Sequence, residues 1–266
     1  MSKINWSLRL LLAVVAIPCA LAVNAFAAMS LIDPGLSGNT QYDEWTNNSL
    51  TIAGSPGYPG FPGSGAWPNP IGSDLGGDAT LNKTANGTGG GPYPASGSIY
   101  YGGFSGDINN NGGTLAVADA TPISNLQTVS LQIQIGEAWT YDFYNEVLPT
   151  LSYNGGAQSV APTTSSLLEQ FYNGTVEMPT GPEDVFINTY LLTWDLSGIV
   201  GTIADFAVSF TGVQHAQLYT LRLDQSDQVS ATPEPGSLAL LLGIVPAAAW
   251  CMRRRRDAAA TELAAC

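Results

Sequence analysis

Between its two apolar ends this chain has no cysteine. Cys19, Cys251 and Cys266 all fall outside the stretch from Ala28 to Ala231. That excludes a disulfide within the stretch and a thiolate metal site. Histidine is nearly absent too, with His215 the sole example. One histidine cannot build a histidine-rich zinc site, and no Gly-x-Ser-x-Gly elbow accompanies it for Ser-His-Asp chemistry. His215 reads as a turn residue between two strands. Positive charge is the third scarcity. From Ala28 to Ala231 only Lys83 and Arg222 stand against 18 Asp and Glu, a balance of −16, compared with −13 for all 266 residues. A surface this acidic repels nucleic-acid phosphates and anionic headgroups, so no nucleic-acid partner is expected. It suits a hydrated exported domain and attracts divalent cations. About 200 residues form one domain with enough apolar surface to fold without disulfide staples.

The two ends are present in abundance where the middle is sparse. Lys3 and Arg9 precede an apolar core from Leu10 to Val23, and Ala25-Phe26-Ala27 follows. This is the pattern of a secretory signal peptide over residues 1–27, cut after Ala27. Pro18 before Cys19 occupies the place where lipoprotein processing needs a small residue. At the other end, Leu238 to Met252 carries no charge and contains Pro246. It is slightly short of the ~20 apolar residues that span a bilayer, so Gly236 and Ser237 are expected at the boundary. A proline kink is better tolerated in lipid than in a soluble helix. Arg253, Arg254, Arg255 and Arg256 follow and are expected to stay cytoplasmic. The organisation is then 1–27 signal peptide, 28–231 extracytoplasmic domain, 232–256 membrane-directed segment and 257–266 cytoplasmic tail.

Pro233-Glu234-Pro235, the apolar span from Gly236 to Met252 and the arginine cluster resemble the PEP-CTERM sorting signal of bacterial exported proteins. The resemblance implies processing by an exosortase-type membrane enzyme, anchoring through the C-terminal helix beforehand, and a place at the cell surface or in a polysaccharide biofilm matrix. Asp257 to Cys266 extend beyond the usual end of that family's signal. The tag also bears the name of an ice-binding protein's C-terminal domain, but the threonines here are scattered rather than arrayed. Tyr190 to Gln225 is similar to domains found in front of such tags, a resemblance that carries no active site.

The middle reads as strands and loops. A first strand is predicted near Leu50 to Ala53. Gly54 to Asp74 is too rich in Pro and Gly for helix or central strand and forms a long loop. Short strands are predicted at Gly76 to Lys83, Ser98 to Phe104 and Thr114 to Ala118. In Val129 to Ile135 the apolar residues alternate with Ser130, Gln132 and Gln134, predicting a strand with one wet face. Leu148 to Tyr153, Tyr190 to Leu196, Phe206 to Phe210 and Gln217 to Leu223 follow as strands, with Tyr219, Leu221 and Leu223 sharing a face. Ser166 to Tyr172 fits a short helix with capping-box spacing or a strand. The expected fold is all-β, an antiparallel β-sandwich of jelly-roll form.

Three sets of side chains could carry function. Tyr58, Phe61 and Trp67 punctuate the long loop and could stack on sugar faces or fold down over the sheet edge. Asp107, Asn109 and Asn111 match the first half of a calcium loop, but its twelfth position is Ala118; an Asn-Gly turn is the plainer account. Glu137, Asp142 and Glu146, interleaved with Trp139, Tyr141, Phe143 and Tyr144, could line a sugar cleft, since glycosidases need two carboxylates and no histidine. The expectation is a non-catalytic surface or matrix protein that binds extracellular polysaccharide and needs no cofactor. The alternatives are a polysaccharide-active hydrolase or lyase and a Ca²⁺-dependent adhesin.

Overall fold

The computed structural model describes residues 31–104 and 106–229. Ala25 and Ala27, the apolar span, and the sorting residues Pro233, Glu234, Pro235 and Arg253 to Arg256 lie outside the described residues. Among the described residues no helix is long and apolar enough to cross a membrane.

The chain runs through β1 (Thr40–Trp45), a one-turn helix α1 (Asn47–Leu50), β2 (Ile71–Gly72), β3 (Leu75–Gly76), β4 (Thr80–Asn86), β5 (Pro92–Pro94) and β6 (Ile99–Tyr101). It continues through β7 (Asn111–Asp119), β8 (Thr128–Gly136), a 3-10 turn (Tyr144–Glu146), β9 (Thr150–Tyr153), β10 (Thr164–Met178), β11 (Gly181–Asp195), β12 (Phe206–Val213) and β13 (Gln217–Ser226). The first sheet has the order β10-β11-β8-β13-β1-β3, with β6 added on β13 and β5 on β6. The second has the order β2-β4-β7-β12-β9. Every strand pairing in both is antiparallel. The pairing is nested: β1 lies beside β13, β7 beside β12 and β8 beside β11, so early strands pair with late ones. One buried cluster joins the sheets, with Trp45, Leu131, Ile133, Trp194 and Leu221 from the first and Leu81, Val117, Leu151, Val208 and Phe210 from the second. Both buried indoles have acceptors for their N–H, Trp45 on the Ile71 carbonyl at 3.0 Å and Trp194 on the Val160 carbonyl at 2.9 Å.

Several sequence expectations change on contact with the structure. Leu50 to Ala53 is not a strand. Thr46 caps α1 there, and Asp74 accepts from the Thr46 N–H at 2.6 Å, its hydroxyl at 2.7 Å and the Ser49 hydroxyl at 3.0 Å. That local network drives Leu50 into the core. Ser166 to Tyr172 is strand, because β11 offers a full-length hydrogen-bonding edge that β10 follows with bulges at Leu167/Glu169 and Tyr172/Gly174. A third bulge, at Leu218/Thr220, shifts the phase of β13. Leu218, Leu221 and Leu223 are buried, while Tyr219 leaves the shared face predicted for it.

The wet face of β8 is the largest correction. Ser130, Gln132 and Gln134 are buried along with their apolar neighbours. The segment before β1 meets Gln132, whose amide donates to the Ile32 carbonyl and accepts from the Ile32 N–H at 3.1 Å. Ser130 pairs with Thr193 at 3.0 Å, and Gln134 donates to Thr189 at 3.3 Å. The alternation is real, but its polar half faces protein.

Arg222 of β13 lies on the first sheet as well. Its guanidinium donates to Asp224 at 2.8 and 3.0 Å, approaches Glu44 at 3.7 Å and sits 4.4 Å from the centre of the Tyr42 ring. Burial raises the Asp224 carboxyl above its ordinary range, and Arg222 opposes that rise. The hydrogen bond to Asp224 raises Arg222 in turn. Removing one partner from a largely buried pair costs about 3–5 kcal/mol. Arg222→Met should therefore lower unfolding free energy by about that much at pH 7. The deficit should shrink as the pH falls and Asp224 takes up a proton. Denaturant titrations at pH 7 and pH 4 measure it; a pH-independent deficit would show that packing, not charge, dominates.

Candidate functional site

The hairpin of β10 and β11 outruns β8. Its last partner across β8 is Ile187 opposite Gly136, so residues 172–186 project past the sheet. A groove of about 660 Å³ opens between this projection and the loop after β8, lined by Glu137, Tyr141, Gln170, Glu183, Asp184 and Phe186 among others. Two of the three carboxylates singled out in the sequence converge beside it. The Asn188 amide nitrogen donates to Glu137 Oε1 at 2.8 Å and to Asp142 Oδ2 at 2.9 Å. Glu137 Oε2 accepts from the Phe186 N–H at 2.8 Å. Asp142 Oδ2 also accepts from the Tyr190 hydroxyl at 2.7 Å, and Oδ1 from the Phe143 N–H at 2.6 Å. Burial raises the Glu137 carboxyl above its usual range, with the Asp142 charge adding to the rise. Burial and the same two acids hold the Tyr190 hydroxyl well above its ordinary value. Glu146 stays apart, exposed at the end of the 3-10 turn, and shares no hydrogen bond with the pair. All four oxygens of the pair thus have donors from the protein itself. They fasten the loop after β8 to β11.

The aromatic loop is fixed at a second place. Tyr58 donates to the Asn69 carbonyl at 2.7 Å and meets Trp67 edge-on at 5.4 Å. Trp67 donates to the Pro92 carbonyl at 2.9 Å, and both rings pack on the core cluster. Phe61 parts from them. It is 54% exposed and forms an edge-to-face pair at 4.9 Å with Phe104, itself 71% exposed. The three rings therefore do not form one platform. Trp67 instead forms a wall of a pocket of about 410 Å³, whose other walls include Asn69, Asn82, Lys83, Thr84 and Asn86. Lys83 donates to the carbonyls of Gly63 and Gly65, the latter at 2.8 Å, and Asn86 donates to the Ser64 carbonyl at 2.9 Å. Burial pushes the Lys83 ammonium down to about 8. Sequence reasoning missed these β4 residues. Their signal was the alternation of Asn82, Thr84 and Asn86 beside the one lysine between Ala28 and Ala231.

In the calcium-like loop, Asn109 Oδ1 accepts from the Asn145 N–H at 3.1 Å and Asn111 Oδ1 from the Gly113 N–H at 2.8 Å. Those oxygens are engaged with main chain, and β7 begins at Asn111, so Asn111-Gly112 lies in the strand rather than in the Asn-Gly turn expected there; the turn falls on Ile108 and Asn109. Among the described residues no group of three or more His, Cys, Asp or Glu could hold a metal ion. His215 turns the chain from β12 to β13 at φ 75° and meets the Tyr100 hydroxyl through Nδ1 at 2.7 Å.

Comparison with family models, curated proteins and solved structures yields no match.

Asn188 is the joint of the carboxylate site. Asn188→Ala should destabilise the fold by about 1–3 kcal/mol at pH 8, where Glu137 and Asp142 would face each other without their shared donor. Glu137 needs that donor when ionised, so the loss is largest above its raised titration range and fades as pH falls through it. Thermal unfolding at pH 8 and pH 4 reads this difference; equal losses would mean that the amide acts through packing alone.

Proposed function

We propose that this chain is an exported, non-catalytic protein of the bacterial surface or extracellular matrix that binds polysaccharide through its β domain. The domain is read as a jelly-roll sandwich. Its support is the nested pairing of β1 with β13, β7 with β12 and β8 with β11, the winding of two Greek keys. β10 departs from that plan by pairing with β11 rather than joining β9 in the second sheet.

The observation that carries the binding proposal is the Trp67 pocket. An indole wall beside side-chain amides and a hydroxyl suits a sugar, whose C–H face is apolar and whose rim is rich in hydroxyls. Sorting to the surface rests on the signal peptide, the Pro233-Glu234-Pro235 motif and the arginine cluster, with an exosortase-type enzyme as processing partner and the apolar span as transient anchor. A hydrolase is the second reading, because Glu137 and Asp142 converge beside a groove and Glu137 is shifted toward its protonated form. The saturation of all four oxygens favours a structural role over proton transfer to a substrate.

Incubation with the host's own polysaccharide separates the two. The expected outcome is retention on the polymer with no release of reducing ends. Release that disappears in Glu137→Gln would establish the enzyme instead. Mass spectrometry of the native protein should find Ala28 as its first residue and a C-terminus near Pro233; an intact leader would remove the surface assignment.

A further inference from the structure

We infer that the pocket beneath the aromatic loop binds a sugar that carries a carboxylate, with Lys83 as the cationic contact. The inference rests on the polysaccharide-binding proposal and names the class of glycan. Charge sorting is the first argument. The stretch from Ala28 to Ala231 holds 18 acids and two basic residues, yet no acid lines this pocket. Of the two cations, Arg222 is taken up by Asp224 and Glu44. Among the described residues Lys83 makes no ion pair with a carboxylate, and its hydrogen-bond partners there are the neutral carbonyls of Gly63 and Gly65. An ammonium has three donors, so one remains for a ligand.

The lining supplies the second argument. Trp67 offers a ring for a sugar face, while Asn82, Thr84 and Asn86, whose donors are held by Thr80, Thr114 and Ser64, offer their side-chain oxygens as acceptors for hydroxyls beside Asn69. An apolar or purely neutral ligand would use the indole and the amides but leave the half-buried ammonium without a counter-charge. A carboxylate completes the set with a charge-assisted hydrogen bond. The overall acidity does not forbid this. Repulsion from distant carboxylates is screened over about 8 Å at physiological salt, and the contact is local. Tyr93, whose ring lies beside Gly63, and Tyr58, edge-on to Trp67, are the tyrosines at the clamped loop; burial raises both hydroxyls, which stay neutral through the range where Lys83 titrates.

The test uses uronate polymers (polygalacturonate, alginate and hyaluronate) and their carboxyl-reduced counterparts, titrated into the exported protein at physiological salt. At pH 7 at least one uronate polymer should bind about tenfold or more tightly than its reduced form, the scale of one charged hydrogen bond. The preference should survive in Lys83→Arg and fall to within about twofold in Lys83→Met. Calorimetry at pH 8 in buffers of different ionisation enthalpy should register proton uptake, because a bound carboxylate retains the proton on Lys83. Should Lys83→Met fail to fold, Lys83→Arg and the proton uptake decide. Equal affinity for each polymer and its reduced form would overturn the inference while leaving polysaccharide binding intact. So would an uptake of no protons with the preference unchanged in Lys83→Met. Retention of no polymer, reduced or acidic, host polysaccharide included, would sink both.

Discussion

A strand covered on both faces must find partners within the protein for every polar side chain it carries, and β8 is under that requirement along its whole length. A buried amide left unpaired costs about 1–3 kcal/mol, so Gln132 and Gln134 each demand a defined neighbour. Gln132 takes the main chain of Ile32 on both sides of its amide, which pins the segment preceding β1 across the sheet. Gln134 and Ser130 take threonines on β11. The apolar half of β8 meanwhile fills the core with Val129, Leu131, Ile133 and Ile135. One strand thereby fixes the position of β11 by ladder, by core and by polar face at once. The groove follows from this, since β11 continues past the end of β8 and carries β10 with it. At the strand's end the same rule recurs in Glu137, which needs Asn188 and the Phe186 N–H because it too has left water.

What could be read from the sequence follows the range of each signal. Alternation over Val129 to Ile135 and over Phe206 to Phe210 identifies strands because period two is a local property. Whether the polar half meets water is not local: Ser130, Gln132 and Gln134 look wet until segment 31–38 and the β11 threonines arrive from far along the chain. The bulge at Tyr219 is another such case. One extra residue reverses the phase, and no residue in Gln217 to Leu223 announces it. Leu50 to Ala53 was apolar enough for strand, but Thr46 and Asp74, 28 positions apart, form the cap that makes a helical turn. At the site level, Glu137, Asp142 and Glu146 were legible only as one group of three, and nothing local separated Glu146 from the two that converge. Their shared donor Asn188, 46 and 51 positions away, was beyond any spacing rule.

The long loop poses the opposite problem from β8. Its prolines donate nothing to a ladder and only Ile71–Gly72 pairs as strand, so the carbonyls of its middle need donors from elsewhere. The body supplies them from Lys83, Asn86 and the Gly91 N–H, which reach the carbonyls of Gly63, Gly65, Ser64 and Pro62. Using a lysine here is expensive. A half-buried ammonium among neutral carbonyls loses solvation that no carboxylate restores, which is why burial pulls it down to about 8. A glutamine or an asparagine would clamp the loop without that penalty, as Asn86 does at Ser64. In a domain rich in acids, a nearby Asp or Glu would also have neutralised the charge, and the pocket has none. Loop anchoring alone therefore accounts for the donors but not for the charge. A ligand that brings its own negative charge accounts for both, since it would restore to Lys83 the electrostatic partner that the folded chain withholds.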